Sequence, residues 1–451
     1  MGNMRFLAFF AVLATLGLAQ PVTSTLRGVE HARPTCVVEH ADGGDDTPNV
    51  HKAVEACQSG GVIHFASGVD YQILTPVQMQ NLTDVEIRVE GNLHLPQDME
   101  VVRTKVATDA GLMLTGMRWF SFGGKNVRYV GTTNVTGGWI EGYGQQYWDA
   151  NPANGTGIDS RPKLIMWELE DSSIIHLKVR KPPAWVSSIS GNNIDVRDVY
   201  IDASTRPGGG FPFNTDGFDV AATNIQFHDM TILNGDDAIA IQAGAENVLV
   251  ENVYAGGPGC HGMSIGSLGR DNTQWVSVKN IHFKDITMVG AVYAARFKSY
   301  EGGQGLVENI TWENFKIENV TIPIYVTQTY HNQGSLQTQN GQEVKTNVTG
   351  QAVQMQNFTW KNWRGSINTF HPGDASCAST PCWYDVPRAT GSEAVIMTCA
   401  NADSCRGFHV ENVQVIPQDY SDSSIMCTNV GAAANPEFGI NCVNGTFVPR
   451  P

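Results

Sequence analysis

The chain has 451 residues and a formal net charge of −15, with only 16% charged residues but 47 glycines. So acidic a chain is a poor candidate for binding nucleic acid, which requires a basic surface. Few charges and many glycines, beside frequent Val, Ile, Thr and Asn, favour an all-β protein with many tight turns.

The N-terminus has the pattern of a secretory signal peptide. Met4-Arg5 precedes an apolar run, and Gly17 and Ala19 give the small-x-small pattern of a cleavage site. The run is too short to span a bilayer, and no second candidate follows it. We expect residues 1–19 to be removed. We expect residues 20–451 to form one secreted, extracellular domain that is monomeric and not bound to a membrane.

Sequons and cysteines agree with a secreted glycoprotein. Glycosylation sequons occur at Asn81, Asn134, Asn154, Asn309, Asn319, Asn347, Asn357 and Asn444. Short spacings suggest four disulfides and leave Cys260 over, although sequence alone does not fix the connectivity. The suggested pairs are Cys36–Cys57, Cys377–Cys382, Cys399–Cys405 and Cys427–Cys442. Neither CxxC…CxxC nor HExxH spacing occurs, so no zinc site is predicted.

Residues 45–57, DDTPNVHKAVEAC, have the spacing of a short amphipathic helix. Val50, Ala53, Val54 and Cys57 would share one face. Such a helix can close the N-terminal end of a repetitive β-structure.

Seven segments begin with Asn and continue with an alternating apolar pattern. They start at Asn126, Asn193, Asn224, Asn247, Asn280, Asn309 and Asn357. From Asn193 they recur at intervals of 31, 23, 33, 29 and 48 residues, which indicates an all-β solenoid. A propeller needs four strands per blade, and leucine-rich repeats need fixed leucines. We predict a right-handed parallel β-helix with asparagine ladders at its turns.

A β-helix needs caps because its ends expose apolar core and unpaired strand edges. The helix at 45–57 is the expected N-terminal cap. The cysteine-rich tail from Cys377 is the expected disulfide-stapled C-terminal cap.

The stretch NGDDAIAIQ, residues 234–242, places two adjacent acids before an alternating run that predicts a half-buried strand. Adjacent carboxylates raise each other's cost of ionisation, although acids are also common in turns. Neighbouring residues in a strand point to opposite faces, so Asp236 and Asp237 need a turn or bulge to share one face.

Polar motifs follow one another in consecutive repeats. NTDGFDV (214–220) contains Asp216 and Asp219, and CHGMSIGSLG (260–269) contains His261. ARFKSY (295–300) contributes Arg296 and Lys298, which are two apart and share a face. Coils of a β-helix stack about 4.8 Å apart, so these side chains would lie in neighbouring coils on one side.

In this order, Asn-Thr-Asp-Gly, Gly-Asp-Asp, His-Gly and Arg-Phe-Lys resemble glycoside hydrolase family 28, the polygalacturonases. Weaker likeness runs from Asp46 to the tail at 444–449. The resemblance implies a pectin lyase-like β-helix that hydrolyses α-1,4 bonds between galacturonic acids with inversion, without a metal or other cofactor. The surroundings of the motifs look most like the fungal exo-acting branch, which releases galacturonic acid from pectic polysaccharide or oligogalacturonate.

Motif matching implies a role for each side chain. Asp236 is the general acid, and Asp216 and Asp237 activate the water, because inversion needs two carboxyl groups on opposite sides of the bond. Crowding should keep one carboxyl protonated. His261 would orient the acid or the sugar. The substrate-binding residues would be Arg296 and Lys298, which hold a uronate carboxylate, together with Tyr330 and Asn214.

Three positions depart from the family pattern. Ala238 stands where many relatives carry Cys, and Cys260 stands where many carry Gly, so the usual local disulfide is in doubt. Phe297 replaces a commoner Ile or Val and should point inward.

Several alternatives stay open. Asp219 is expected to be an Asx-turn residue, and Tyr330 is as compatible with packing as with sugar contact. Loops at 204–213 and 331–349 could close the cleft, and an open cleft would mean endo action. Xylogalacturonan or rhamnogalacturonan is an alternative substrate, a Ca²⁺-dependent pectate lyase an alternative enzyme, and a non-catalytic polysaccharide-binding β-helix a further alternative.

Overall fold

A computed structural model describes residues 33–106, 114–151, 157–330, 338–339, 342–343, 351–369, 386 and 389–442. The predicted signal segment 1–19 lies outside these residues. So do three sequons and one cysteine pair, at Asn154, Asn347, Asn444, Cys377 and Cys382.

The described residues form three helices and a stack of strands. The helices are α1 (Thr47–Cys57), α2 (Met99–Val106) and α3 (Gln145–Asp149). The first strands are β1 (Thr35–Val37), β2 (Val62–Phe65), β3 (Asp70–Gln72), β4 (Val77–Val89), β5 (Asn92–His94), β6 (Leu114–Val130), β7 (Trp139–Glu141), β8 (Arg161–Ile175), β9 (Lys178–Arg180), β10 (Ser187–Asp202), β11 (Phe218–Leu233), β12 (Ile239–Ile241) and β13 (Glu246–Gly256). The rest are β14 (Met263–Leu268), β15 (Trp275–Val289), β16 (Tyr293–Tyr300), β17 (Gln304–Val320), β18 (Ile322–Tyr330), β19 (Thr338–Gln339), β20 (Gln342–Glu343), β21 (Val353–Ile367), β22 (Glu393–Thr398), β23 (Cys405–Arg406), β24 (His409–Pro417) and β25 (Ser424–Thr428).

Apart from the small β19–β20 ribbon, the strands pair in parallel in one continuous 23-stranded sheet. The chain therefore forms a right-handed parallel β-helix, as predicted. The longest strands continue around a corner of the coil because they bend at residues with left-handed backbone conformation. In β11 these are Asn224, with φ 52°, and Asp229, with φ 58°. Asn and Asp tolerate this conformation better than other residues with a side chain.

The predicted asparagine ladder runs along one turn of the stack. All seven asparagines of the repeat have a positive φ. Asn247 donates its side-chain amide to Asn224 at 2.9 Å, Asn280 donates to Asn247 at 2.9 Å, and Asn309 donates to Asn280 at 3.0 Å. Asn357 continues the ladder on Asn309 at 3.2 Å. Each rung fixes the corner of one coil directly above the corner of the coil before it.

A second corner, which leads into the strands that carry the polar motifs, varies in length. Thr321 alone separates β17 from β18, whereas residues 203–217 separate β10 from β11. Strand register is kept across both connections.

The inside of the coils is a continuous apolar core, in which equivalent side chains stack from coil to coil. Phe315 stacks on Trp363 with ring centroids 4.2 Å apart, and Trp312 stacks on Trp360 at 5.3 Å. Phe297 is buried and lies in this core, as predicted.

The N-terminal end of the stack is covered by α1, which begins at Thr47 rather than at residue 45. Asp45 and Asp46 stay outside the helix because their carboxylates accept backbone N–H bonds. Asp45 accepts from Thr47 at 2.9 Å, and Asp46 accepts from Ala41 and Gln72, both at 2.7 Å. Val50 and Ala53 are buried, and the Cys36–Cys57 disulfide ties the helix to β1.

Two more of the suggested disulfides form in the last coils, Cys399–Cys405 and Cys427–Cys442. Cys260 is buried and unpaired among the cysteines that the structure describes. No helix in the described part of the chain is long and apolar enough to cross a membrane. Residues from Pro34 onward group into one compact unit, and the domain boundary at residue 20 stays a prediction.

Candidate active site

Consecutive coils bring the predicted polar side chains to one side of the helix, and several of them stand at equivalent positions. The strand residues Phe218, Ile239, Met263 and Ala295 are aligned in consecutive coils. Two positions before each of them stand Asp216, Asp237, His261 and Tyr293, respectively. Gly217 donates its N–H to Asp237 O at 2.9 Å. A Cβ on Gly217 would lie 2.3 Å from Ala238 O, so only glycine allows this approach.

A tight turn brings Asp236 and Asp237 to the same side. The Asn234 amide donates to the carbonyl oxygens of Thr215, Asp236 and Asp237 at 2.9, 2.9 and 3.0 Å. The N–H of Asp237 donates to Oδ1 of Asp236 at 2.8 Å. The turn that the sequence required between the two acids is therefore present.

The strand after these acids is buried on both faces, so the prediction of a half-buried strand was wrong. All three residues of β12 are buried. Its outward residue, Ala240, lies in register between Asp219 and Ser264, which are also buried. Because the alanine side chain is small and lies between two larger ones, it is covered by them and is not exposed in the cleft.

Asp237 is held by two cations. Lys298 Nζ lies 2.5 Å from its Oδ2, and Arg296 Nη1 lies 3.5 Å from its Oδ1. All three side chains are buried. Arg296 and Lys298 share a face, as their spacing predicted.

His261 contacts Asp236. Its Nδ1 lies 2.9 Å from Asp236 Oδ1 and 3.0 Å from Arg296 Nη1. The histidine thus lies between Asp236 and Arg296, near the acid as predicted.

Asn214 contacts the other oxygen of Asp236, and Arg161 fixes its orientation. The Asn214 amide donates to Asp236 Oδ2 at 3.3 Å, while Arg161 donates to Asn214 Oδ1 at 2.8 Å. Arg161 also donates to Phe213 O at 2.6 Å and is buried. Sequence reasoning missed Arg161, because it lies outside every motif and 53 positions before Asn214.

Four carboxyl groups, Asp216, Asp219, Asp236 and Asp237, form what we call the acid cluster. Burial, reinforced by Asp236, raises the pKa of Asp216 well above its ordinary value. Burial, reinforced by Asp237, raises the pKa of Asp219 to about 7. Among the described residues, Oδ1 of Asp216, Oδ2 of Asp219 and Oδ1 of Asp237 have no hydrogen-bond partner.

Asp236 behaves in the opposite way. Burial alone would raise its pKa, but His261, Lys298 and Arg296 outweigh that effect and lower the pKa below the ordinary value. The proton that crowding should keep on one carboxyl is therefore favoured on Asp216 and Asp219, whose pKa values are raised, over Asp236, whose pKa is lowered.

The expectation that Asp219 is an Asx-turn residue was wrong. It lies within β11, in register with Ala240, and its side chain faces the cleft rather than its own backbone. Gln242 donates to its Oδ1 at 3.1 Å.

Aromatic rings surround the cations. Arg296 Cζ lies 4.8 Å from the Tyr293 ring centre and 5.7 Å from that of Tyr330. Tyr293 stacks on Tyr325 at 4.8 Å, and Lys298 Nζ lies 5.4 Å from the Tyr330 ring centre. Tyr330 is thus at the site, as predicted, while Tyr293 and Tyr325 were missed.

The loop at 204–213 is fixed beside the cleft by α3. Arg206 and Asp149 form an ion pair at 2.6 Å, and Gly210 donates its N–H to the same carboxylate at 2.7 Å. The second predicted loop, 331–349, lies almost entirely outside the described residues.

In the described part of the chain, Asp236, Asp237 and His261 have ligand atoms close enough together to hold a metal ion. Lys298 and Arg296 already supply two positive charges within 4.0 Å of Asp237. A dication would face those charges at close range, so this donor set does not suit a metal.

A parallel β-helix with this set of carboxyl groups and cations in one cleft has the architecture of a polysaccharide-cleaving enzyme. Residues 57–383 match the model of glycosyl hydrolases family 28, and the chain belongs to this family.

The chain is 43% identical to a protein named probable exopolygalacturonase C from Aspergillus terreus, over 97% of both chains. It is 44% identical to the protein of the same name from Aspergillus niger, over 95% of this chain and 96% of that protein. Among solved structures, an endo-xylogalacturonan hydrolase from Aspergillus tubingensis matches with a TM-score of 0.69 and 23% identity, over 92% of this chain and 100% of that chain. An exopolygalacturonase from Thermotoga maritima matches with a TM-score of 0.60 and 13% identity, over 88% of this chain and 93% of that chain. These two structural similarities support the parallel β-helix fold.

Proposed function

We propose that this protein is an exo-acting polygalacturonase that hydrolyses α-1,4-galacturonosyl bonds with inversion and releases galacturonic acid from a chain end. The names of the fungal relatives support the exo-acting assignment. The observation that carries the proposal is the contact of Lys298 and Arg296 with the acid cluster. An anionic sugar would be held directly beside the carboxyl groups that cleave it.

In the proposed reaction, Asp236 protonates the leaving glycosidic oxygen. Asp216 and Asp237 position a water molecule and accept its proton as it attacks the anomeric carbon from the other side. The bond to the leaving oxygen breaks, and the configuration at the anomeric carbon inverts. Asn214 and His261 hold the two oxygens of Asp236.

Substrate binding would favour the protonated form of Asp236. A uronate carboxylate between Arg296 and Lys298 neutralises the cations that favour ionised Asp236, so the pKa of Asp236 rises. In this proposal Asp216, whose pKa is also raised, then gives its proton to Asp236 and becomes a carboxylate. This transfer leaves one carboxylic acid and one carboxylate, as an inverting glycosidase requires.

The test is a time course of products from de-esterified polygalacturonate, separated by anion-exchange chromatography at mildly acidic pH. We expect galacturonic acid as the sole early product, with slow loss of viscosity. An early ladder of oligomers would contradict exo action. Unsaturated products, or loss of activity with a chelator, would indicate a lyase instead.

We also infer that the protein is a secreted, monomeric glycoprotein. Asn81, Asn134, Asn309 and Asn357 are exposed, and three disulfides form, as expected on an oxidising route. Enzymatic deglycosylation of protein from the culture medium should reduce its apparent mass. Protein found only inside the cells would contradict secretion.

A further inference from the structure

The line of cleft positions continues on the N-terminal side of Asp216. Ile165 pairs with Ser187, and Ser187 pairs with Phe218. The residues two positions before these three, Lys163, Trp185 and Asp216, are therefore aligned in consecutive coils as well. Arg118 pairs directly with Lys163. With coils about 4.8 Å apart, Lys163 lies about 10 Å and Arg118 about 14 Å from Asp216 along the helix axis.

Arg118 and Lys163 are two cations in adjacent coils, and both are half-buried. Burial and, next, the charge of Arg118 lower the pKa of Lys163 to about 8. Burial also lowers the pKa of Arg118. Two cations that raise each other's free energy in a cleft are stabilised when an anion binds there.

The part of the chain that the structure describes offers Lys163 no carboxylate within 4.0 Å. Its Nζ lies instead 3.9 Å from the ring centre of Trp185. Asp219 and Asp216 attract it only from farther away. Lys163 thus keeps its capacity for a charge-assisted hydrogen bond to a ligand.

We propose that Arg118 and Lys163, with Trp185 as the adjoining wall, bind the carboxylate of a second uronic acid of the substrate chain. This site lies on the opposite side of Asp216 from Arg296 and Lys298. The inference rests on the proposed function, since it assumes a polyuronate in the cleft. A chain held at both positions must carry free carboxylates on both sides of the acid cluster, so esterified sugars are discriminated against twice.

The test compares Lys163→Met, Arg118→Met and Lys163→Arg with wild type on polygalacturonate and on trigalacturonate. Loss of one charge-assisted contact should raise KM about tenfold, with kcat within about twofold. Lys163→Arg should recover most of the affinity. The matched control is Lys125→Met. Lys125 is an exposed lysine whose partner Asp171 lies 3.1 Å away, and its loss should leave KM unchanged.

Unchanged KM in Lys163→Met and Arg118→Met, with an active wild type, would overturn the site. A fall in kcat at constant KM would do so too, because the cations would then act only on the acid cluster. If the wild type releases no product, the proposed function fails separately. The site is then decided by calorimetric titration of trigalacturonate into Asp236→Asn and Asp236→Asn/Lys163→Met: weaker binding to the double variant supports it, and equal Kd overturns it.

Discussion

Lys298 Nζ lies 2.5 Å from Asp237 Oδ2, and both side chains are buried in the cleft. The substrate contact that the sequence suggested would, on its own, make Lys298→Met chiefly a KM variant. Because Lys298 also holds a buried carboxylate, we expect kcat to fall as well.

Breaking this pair should also destabilise the protein by about 3 kcal/mol, since Asp237 keeps only the more distant Arg296 and His261 among the described residues. Chemical denaturation of Lys298→Met measures the loss. Lys284→Met is the control, because Lys284 forms exposed pairs with Glu251 and Asp285 whose removal should cost no more than about 1 kcal/mol. Equal losses in the two variants would contradict a structural role for the buried pair.

Replacing Asp236 should abolish turnover with little effect on folding. Asp236→Asn keeps the shape and its contacts near His261 and Asn214 but carries no transferable proton. We expect kcat to fall by about 10²–10⁴-fold, with a melting temperature close to that of wild type. Near-normal turnover would remove Asp236 from the reaction.

The buried Asp219 predicts how stability depends on pH. Its pKa is raised from 3.8 to about 7, so between these values the folded state holds a proton that the unfolded state has lost. The stabilisation is complete below the unfolded pKa and is lost as pH rises through the folded pKa. The free energy of unfolding of wild type should therefore decrease between pH 4 and 7.

This slope should be flatter in Asp219→Asn, which cannot titrate. Asp42→Asn serves as the control because the Asp42 side chain is fully exposed. Urea denaturation at a series of pH values gives the comparison. Parallel curves for Asp219→Asn and wild type would show that Asp219 is ionised throughout.

Arg161 should act on the reaction through Asn214. Arg161→Met leaves Asn214 Oδ1 and Phe213 O without their donor, so the amide loses its fixed orientation toward Asp236. We expect kcat to fall about 10- to 100-fold at nearly constant KM. Arg161→Lys should recover only part of the lost kcat, because lysine lacks the planar guanidinium group that donates to both oxygens.

Arg206→Met tests whether that effect comes merely from loosening the same loop. Arg206 pairs with Asp149 at 2.6 Å and touches no member of the acid cluster. A similar loss of kcat in this variant would mean that loop anchoring, and not the orientation of Asn214, is what matters.

The asparagine ladder predicts an order of stability at Asn280. Asn280→Gly keeps the left-handed conformation but loses two rungs, at a cost of about 1 kcal/mol. Asn280→Ala adds the strain of a Cβ at φ 56° and should cost about 1–2 kcal/mol more. Thermal unfolding of both variants checks the order, and a more stable alanine variant would contradict it.

The repeat was predictable because it depends on local chemistry. Asparagines at the corners, alternating apolar residues and the helix at 47–57 each follow from short-range patterns. The burial of β12 was not predictable in this way, because Ala240 is covered by Asp219 and Ser264 from other coils.

The residues of the candidate site likewise fall into those that the sequence predicted and those that it did not. Asp216, Asp236, Asp237, His261, Arg296 and Lys298 stand in short motifs, and the structure brings them together. Arg161, Tyr293 and Lys163 join the cleft only through strand register, which no short motif records. The lowered pKa of Asp236 likewise depends on three residues from later coils, His261, Lys298 and Arg296.

The two kinds of corner differ in how much sequence change they tolerate during evolution. The ladder corner tolerates few changes, because each rung contacts the next. The corner before the cleft strands ranges from Thr321 alone to residues 203–217, with the flanking pairs still in register. Insertions and deletions can accumulate there, on the face that meets the polymer. A lineage can thus remodel what enters the cleft while inheriting its reactive groups unchanged.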